Sequence, residues 1–213
     1  MSLPTNQDTP LTPNIVRMPA IFIDRDGTLC EEQEYLSSPD QLKLIPNASD
    51  AIRFLNKHHI LVILITNQSG IARNYFDEAT LGRIHTHLNE MLAEQGAHLD
   101  AIYYCPHHPK GFPPYNIICN CRKPRTGLVE QACQDFPIDL RHSAFVGDKL
   151  SDTRTGMNLG IPSILVRTGY GIEQAQQGTI DKDYTHICDS LADATEYLSE
   201  TLFKDNIDET SKR

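Results

Sequence analysis

At 213 residues the chain is long enough for one sizeable core and too short for two ordinary domains. Its 28 acidic against 19 basic residues give a formal charge of -9, which excludes broad binding to nucleic acid or membrane surfaces, since both need a basic field. No apolar run approaches the roughly 20 residues of a spanning helix, and Met1 to Pro19 lacks a signal peptide's apolar stretch, so a cytoplasmic protein is expected.

In chain order, residues 1–19 hold four prolines and no periodicity, which predicts a flexible arm. Ala20 to Ile23 is a short apolar run that reads as a buried strand, and it leads straight into Asp24-Arg25-Asp26-Gly27-Thr28. Ala48, Ala51, Ile52 and Leu55 share one helical face. Leu61 to Ile65 is a second strand ending at Thr66-Asn67-Gln68-Ser69-Gly70, and Leu81, Ile84, Leu88, Met91 and Leu92 mark a second helix. A third strand, Ala101 to Tyr104, precedes Cys105-Pro106-His107-His108 and Cys119-Asn120-Cys121-Arg122-Lys123. Leu128, Ala132, Cys133 and Phe136 suggest a third helix, and Ala144 to Val146 a fourth strand that ends at Gly147-Asp148-Lys149. A helix over Ser151 to Leu159 is stopped by Gly160, and Ser163 to Val166 is a fifth strand. The alternation predicts an α/β fold, a doubly wound and mostly parallel sheet with helices on both faces, as one domain over 20–203 with a solvated tail over 204–213. In such sheets ligands sit beyond the carboxyl ends of the strands, so the chemistry belongs just after them.

The strand ends collect one kind of chemistry. Asp24 and Asp26 lie two residues apart where the first strand stops, and Asp148, with Asp152 four residues on, reaches the same edge. Taken singly, Asp-Gly is ordinary turn chemistry and an Asp before a helix is an ordinary cap. Thr66 to Ser69 supply hydroxyl and amide groups suited to phosphate oxygens, and Lys123 supplies a cation. Of six cysteines, Cys105, Cys119 and Cys121 cluster beside His107 and His108, which suggests a metal rather than disulfides. The spacing does not choose between the two histidines. The pairs His58-His59 and His85-x-His87 do not share a helical face and read as surface residues.

These signatures in this order resemble the haloacid dehalogenase superfamily. More narrowly, Tyr104 to Pro109, Cys119 to Pro124 and Thr66 to Arg73 resemble its heptose-bisphosphate 7-phosphatase branch, with histidinol-phosphate phosphatases as the sibling. The nine residues from Lys110 to Ile118 make a longer loop than that sibling usually carries, which favours the heptose branch. The resemblance implies a small-molecule sugar phosphate as substrate, a catalytic magnesium ion and a structural zinc ion. It makes Asp24 the nucleophile and Asp26 the acid/base partner, and gives magnesium the Asp24 and Asp148 carboxylates and the Asp26 backbone carbonyl. Thr66 and Lys123 hold the transferring phosphoryl group, and Glu32, Tyr35, Asn67, Gln68, Ser69 and Arg122 contact substrate. Arg122 is assigned the second phosphate of a bisphosphate, while Arg73 and Arg125 fit a solvated face equally well. Cys105, His107, Cys119 and Cys121 become the zinc ligands, with His108 as the alternative. No segment has room for a large cap, so the zinc loop alone could serve as a minimal one. A non-catalytic zinc-loop module is the competing class, and the complete set Asp24, Asp26, Thr66, Lys123 and Asp148 opposes it.

Overall fold

Every side chain of β1 (Ala20–Ile23) is buried, and the sheet grows outward from this strand on both sides. The computed structural model describes residues 16–211, so most of the arm expected over 1–19 lies outside the described residues. At the edge of that arm, Met18 bridges Ile138 and donates its N–H to the Pro137 carbonyl at 2.8 Å. The other strands are β2 (Leu61–Asn67), β3 (Ala101–Cys105), β4 (Ala144–Gly147), β5 (Ser163–Val166) and β6 (His186–Cys188). All pairings are parallel, in the order β3-β2-β1-β4-β5-β6. The chain winds one way to β3 and then crosses back to β4 beside β1, which opens a crevice at the carboxyl ends of β1 and β4.

Alternate strand residues face opposite layers, as a pleated strand buried on both sides requires. On one face Ile21, Ile23, Val62, Leu64 and Val146 pack with Ile52 and Leu55 of α1 (Ala48–Lys57), Ile84 and Leu88 of α3 (Glu78–Glu94), and Leu191 and Leu198 of α7 (Leu191–Thr201). On the other, Phe22, Ile63, Ile65 and Phe145 pack with Leu128, Val129 and Ala132 of α4 (Gly127–Asp135). The apolar stripes expected of the first three helices are the faces that cover the sheet. Asp77 caps α3 by accepting from the Thr80 N–H at 2.8 Å. Three further helices are α2 (Ser69–Ala72), α5 (Leu150–Asn158) and α6 (Gly171–Gln177).

Two expectations are corrected. The segment read as a solvated tail is helical over α8 (Lys204–Thr210), largely exposed but with Ile207 against the core. His58 and His85 are buried rather than superficial. His58 Nδ1 lies 2.6 Å from Thr210 Oγ1, tying the end of α1 to α8, and His85 turns inward from α3 beneath the crevice. Among the described residues no helix is long and apolar enough to cross a membrane.

Candidate active site

The first strand delivers Asp24 to the crevice, where its N–H donates to the Val146 carbonyl of β4 at 3.1 Å. One carboxylate oxygen, Oδ1, accepts from the Arg25 N–H at 2.8 Å and meets Lys123 Nζ at 2.9 Å. Lys123 comes from the loop before α4, and its ammonium is shut away from solvent between Asp24, Asp152 Oδ1 at 2.8 Å and the Ile65 carbonyl at 2.6 Å. Burial lowers the affinity of this ammonium for its proton, but Asp152 and Asp24 outweigh it and hold the lysine charged.

Asp148, at the end of β4, is fully buried. Its Oδ2 accepts from the Tyr170 N–H at 2.9 Å, while its Oδ1 has no partner among the described residues. The carboxylates of Asp24, Asp148 and Asp152 offer oxygens within 4.8 Å of one another. Burial pushes Asp148 up to about 8 despite Lys149, with Asp152 and Asp24 adding to the rise. Crowded hard oxygens with one buried oxygen unpaired fit a divalent cation. Gly27, at φ +82°, leaves room for this cluster, because a Cβ there would run into the Asp148 carboxylate.

Asp26 is held differently. Arg25 donates Nε to Oδ1 and Nη2 to Oδ2, both at 2.9 Å, and Gln68 Nε2 donates to Oδ2 at 2.9 Å. Burial would raise Asp26, but the charge and paired hydrogen bonds of Arg25, with Gln68 and Lys149, carry it below the ordinary carboxylate value.

Asp24, Arg25, Asp26, Lys123 and Asp152 line a pocket of about 210 Å³ that also includes Glu32, Tyr35, Asn67, Gln68, Ser69 and Arg122. That is smaller than the roughly 300–1,000 Å³ of pockets that enclose whole ligands, so an extended substrate projects through the mouth. Glu32 Oε2 pairs with Lys149 Nζ at 2.7 Å, and that ammonium lies 4.7 Å from the centre of the Tyr170 ring. Tyr35 stands edge-on to Tyr75 at 4.5 Å, while Arg122 donates Nη1 to the His107 carbonyl at 3.2 Å. Thr66 is buried just beneath, its hydroxyl accepting from Gln68 Nε2 at 2.9 Å. Within the Thr66–Ser69 segment the side chains of Asn67 and Gln68 do more bracing than their polar character suggested. Asn67 brackets Lys123 by accepting its N–H at 3.1 Å and donating to its carbonyl at 3.2 Å. The Gln68 N–H is taken by the Cys105 carbonyl at 2.8 Å. Arg25 joins the site without having been singled out for it, as do Asp152, which the sequence placed at this edge without a role, and Lys149. The spacing Gly-Asp-Lys-x-x-Asp contained a signal for the last two, but none marked Arg25.

Beside the mouth, Cys105, His107, Cys119 and Cys121 also offer ligand atoms within 4.8 Å of one another. The Cys121 Sγ lies 3.0 Å from that of Cys119 and 3.2 Å from that of Cys105, and 3.3 Å from His107 Nδ1. These separations are too long for disulfides, which need about 2.05 Å, and the four ligand atoms converge as the ligands of a single metal ion would. Burial raises the Cys105 and Cys121 thiols, so three thiolates here call for a cation. His108 stands apart, its Nδ1 accepting from the Lys110 N–H at 3.1 Å.

A parallel sheet with paired carboxylates and a buried lysine at its switch point defines a hydrolase of the haloacid dehalogenase class, and the HAD-hydrolase-like family matches residues 120–194. A D-glycero-beta-D-manno-heptose-1,7-bisphosphate 7-phosphatase from Haemophilus influenzae is 41% identical over 180 residues, spanning 84% of this chain and 96% of its own. The Escherichia coli K12 enzyme of that name is 38% identical over 178 residues, with 83% and 91% covered. The crystal structure of the D,D-heptose 1,7-bisphosphate phosphatase of B. bronchiseptica, complexed with magnesium and phosphate, superposes with a TM-score of 0.77 at 35% identity, covering 86% of this chain and 99% of that one. The chain belongs to the heptose-1,7-bisphosphate 7-phosphatase family of haloacid dehalogenase-like enzymes.

The carboxylate cluster predicts a specific response to metal. Folded Asp148 holds its proton more tightly than the unfolded carboxyl does at its ordinary 3.8, so without a cation the fold loses stability as pH rises from 3.8 to about 8. Melting curves in a chelator should show that fall, and added magnesium should reverse it. Asp148→Asn should remove most of both effects; an undiminished magnesium response in the variant would place the cation elsewhere.

Proposed function

We infer that the chain is a phosphatase that removes the C7 phosphate of D-glycero-D-manno-heptose 1,7-bisphosphate, a step toward nucleotide-activated heptose, through an aspartyl phosphate on Asp24. The observation that carries this reading is the Lys123 ammonium bound to Asp24 at the switch point of a family fold. Lys123 pairs with Asp24 and draws in the oxygens of a phosphomonoester, so the attacking carboxylate reaches phosphorus against less repulsion. Asp24 attacks in line while Asp26 gives a proton to the departing sugar oxygen. Asp26 then takes a proton from the water that cleaves the acyl phosphate. Thr66 and the Ser69 segment hold the phosphoryl oxygens, Glu32 and Tyr35 line the sugar's path, and Arg122 meets the second phosphate at the mouth. The Asp24 and Asp148 carboxylates and the Asp26 backbone carbonyl would hold magnesium, which supplies positive charge to a phosphoryl oxygen. The relatives' names specify the β anomer, and this chain is assigned the same one.

Cys105, His107, Cys119 and Cys121 would hold a closed zinc site without a catalytic role of its own. With the ion held there, these ligands would fix the loop in which Cys121 is followed by Arg122 and Lys123. The magnesium-dependent chemistry and the zinc-fixed loop are thus separate in metal and coupled in position.

Two measurements test this reading. Turnover on heptose 1,7-bisphosphate and histidinol phosphate, run side by side, should favour the bisphosphate by at least about a hundredfold, and Arg122→Ala should raise KM for the bisphosphate more than for a monophosphate. A preference for histidinol phosphate would move the chain to the sibling branch. For the loop, Cys121→Ser should lower zinc content and kcat together at saturating magnesium, although no reacting group is replaced. Full activity in a folded, zinc-free variant would show that the loop positions nothing.

A further inference from the structure

Among the described residues Arg25 is the largest fully buried side chain, and it sits between the two reacting aspartates of the sequence. Its backbone cannot swing, since its carbonyl accepts the N–H groups of Leu29 at 3.0 Å and Cys30 at 2.8 Å. Its guanidinium spans Asp26 with two bonds of 2.9 Å and donates from Nη2 to Gln68 Oε1 at 3.1 Å. A guanidinium only donates, so the Gln68 amide must present its oxygen to Arg25 and its nitrogen to Asp26 Oδ2 and Thr66 Oγ1. Behind it, Nη1 lies 3.5 Å from His85 Nε2, and burial and the arginine's charge push that imidazole down to about 3, leaving a neutral ring there.

The lone pairs can be counted. A carboxylate oxygen has two; Oδ2 accepts from both Arg25 and Gln68, whereas Oδ1 accepts only from Arg25 Nε. We propose that Arg25, braced by Gln68, is the positioning residue for Asp26, pinning Oδ2 and leaving Oδ1 as the one oxygen through which a proton is taken up and given back. The proposal rests on Asp26 being the acid/base partner. As Asp24 forms its bond to phosphorus and the bond to the sugar oxygen breaks, the proton on Oδ1 passes to that oxygen. When water then bonds to phosphorus and the acyl phosphate breaks, the water's proton returns to Oδ1. Neither transfer disturbs the bonds to Arg25 or Gln68, so the carboxyl need not reorient between half-reactions.

The test is leaving-group dependence, which a merely structural role would not change. An alkyl phosphate such as the sugar bisphosphate needs a proton on its leaving oxygen, whereas p-nitrophenyl phosphate releases a stable phenolate without one. Arg25→Met should lower kcat/KM for the sugar bisphosphate by about 10²–10⁴-fold, the usual contribution of a positioned proton donor. Release of the first equivalent of p-nitrophenolate should fall by less than about tenfold, followed by a slow steady state because water attack on the phosphoenzyme also needs Asp26. Gln68→Met should show the same selectivity at smaller size, and Arg25→Lys should recover part of the loss, since an ammonium restores the charge without the paired bonds. If Arg25→Met melts below the assay temperature, the ratio of the two losses in Gln68→Met decides. Equal losses on both substrates in a folded variant would overturn the clamp alone. A wild type that forms no phosphoenzyme would overturn the reading of Asp24 and Asp26, and the clamp with it.

Discussion

A single buried ammonium joins four parts of this chain. Lys123 Nζ meets Asp24 at the end of β1, the Ile65 carbonyl near the end of β2 and Asp152 of α5, while its own backbone belongs to the loop before α4. The ring of Phe145, on β4, lies 5.7 Å away and helps exclude water. A charge without solvent survives only where partners satisfy it, and removing one partner from a buried pair typically costs about 3–5 kcal/mol. The crevice geometry and the pairing of Asp24 with Lys123 are therefore one constraint. Asn67 strengthens it by gripping the lysine's backbone on both sides, and the bond from the Gln68 N–H to the Cys105 carbonyl ties the β2 end to the cysteine-rich loop.

Around that nitrogen the aspartates are sorted by their neighbours. Asp24 faces Lys123, Asp152 is shared between Lys123 and the Lys149 N–H, and Asp148 keeps an oxygen with no partner. Asp26, two residues from Asp24, is instead gripped by a guanidinium and an amide. Two carboxylates close in sequence thus occupy different environments, one against an ammonium and the other against a guanidinium and an amide. Tyr35, Glu32 and Arg122 line the same small pocket as the aspartates and Lys123.

Much of this arrangement was legible from residues alone. Short apolar runs marked five of the six strands, and the three that lead into Asp24, Thr66 and Gly147 marked the edge where the site lies. The sixth, His186–Cys188, is three residues long and only partly buried, so no apolar run announced it. Among the histidines, His107 rather than His108 joins the cysteines, a distinction that adjacent positions cannot express. Arg25 escaped notice because an arginine between two aspartates reads as solvated charge. Its burial comes from packing against His85 of α3 and Gln68 beyond β2, about 60 and 43 residues away, and local pattern holds no trace of such placement. The helix over Lys204–Thr210 was missed for a related reason: its polar sequence has a single apolar anchor, Ile207, and its tie to His58 comes from a residue 152 positions away.

The central claim is that Asp24, held by Lys123, carries the phosphoryl group between substrate and water. The direct measurement is rapid acid quenching of wild type during turnover of the heptose bisphosphate, followed by peptide mass analysis of the segment that contains Asp24 and Asp26. The account predicts one added phosphoryl group on Asp24, labile to hydroxylamine and absent from Asp24→Asn. A phosphoryl group on any other residue, or normal turnover with none on the protein at any quench time, would contradict it.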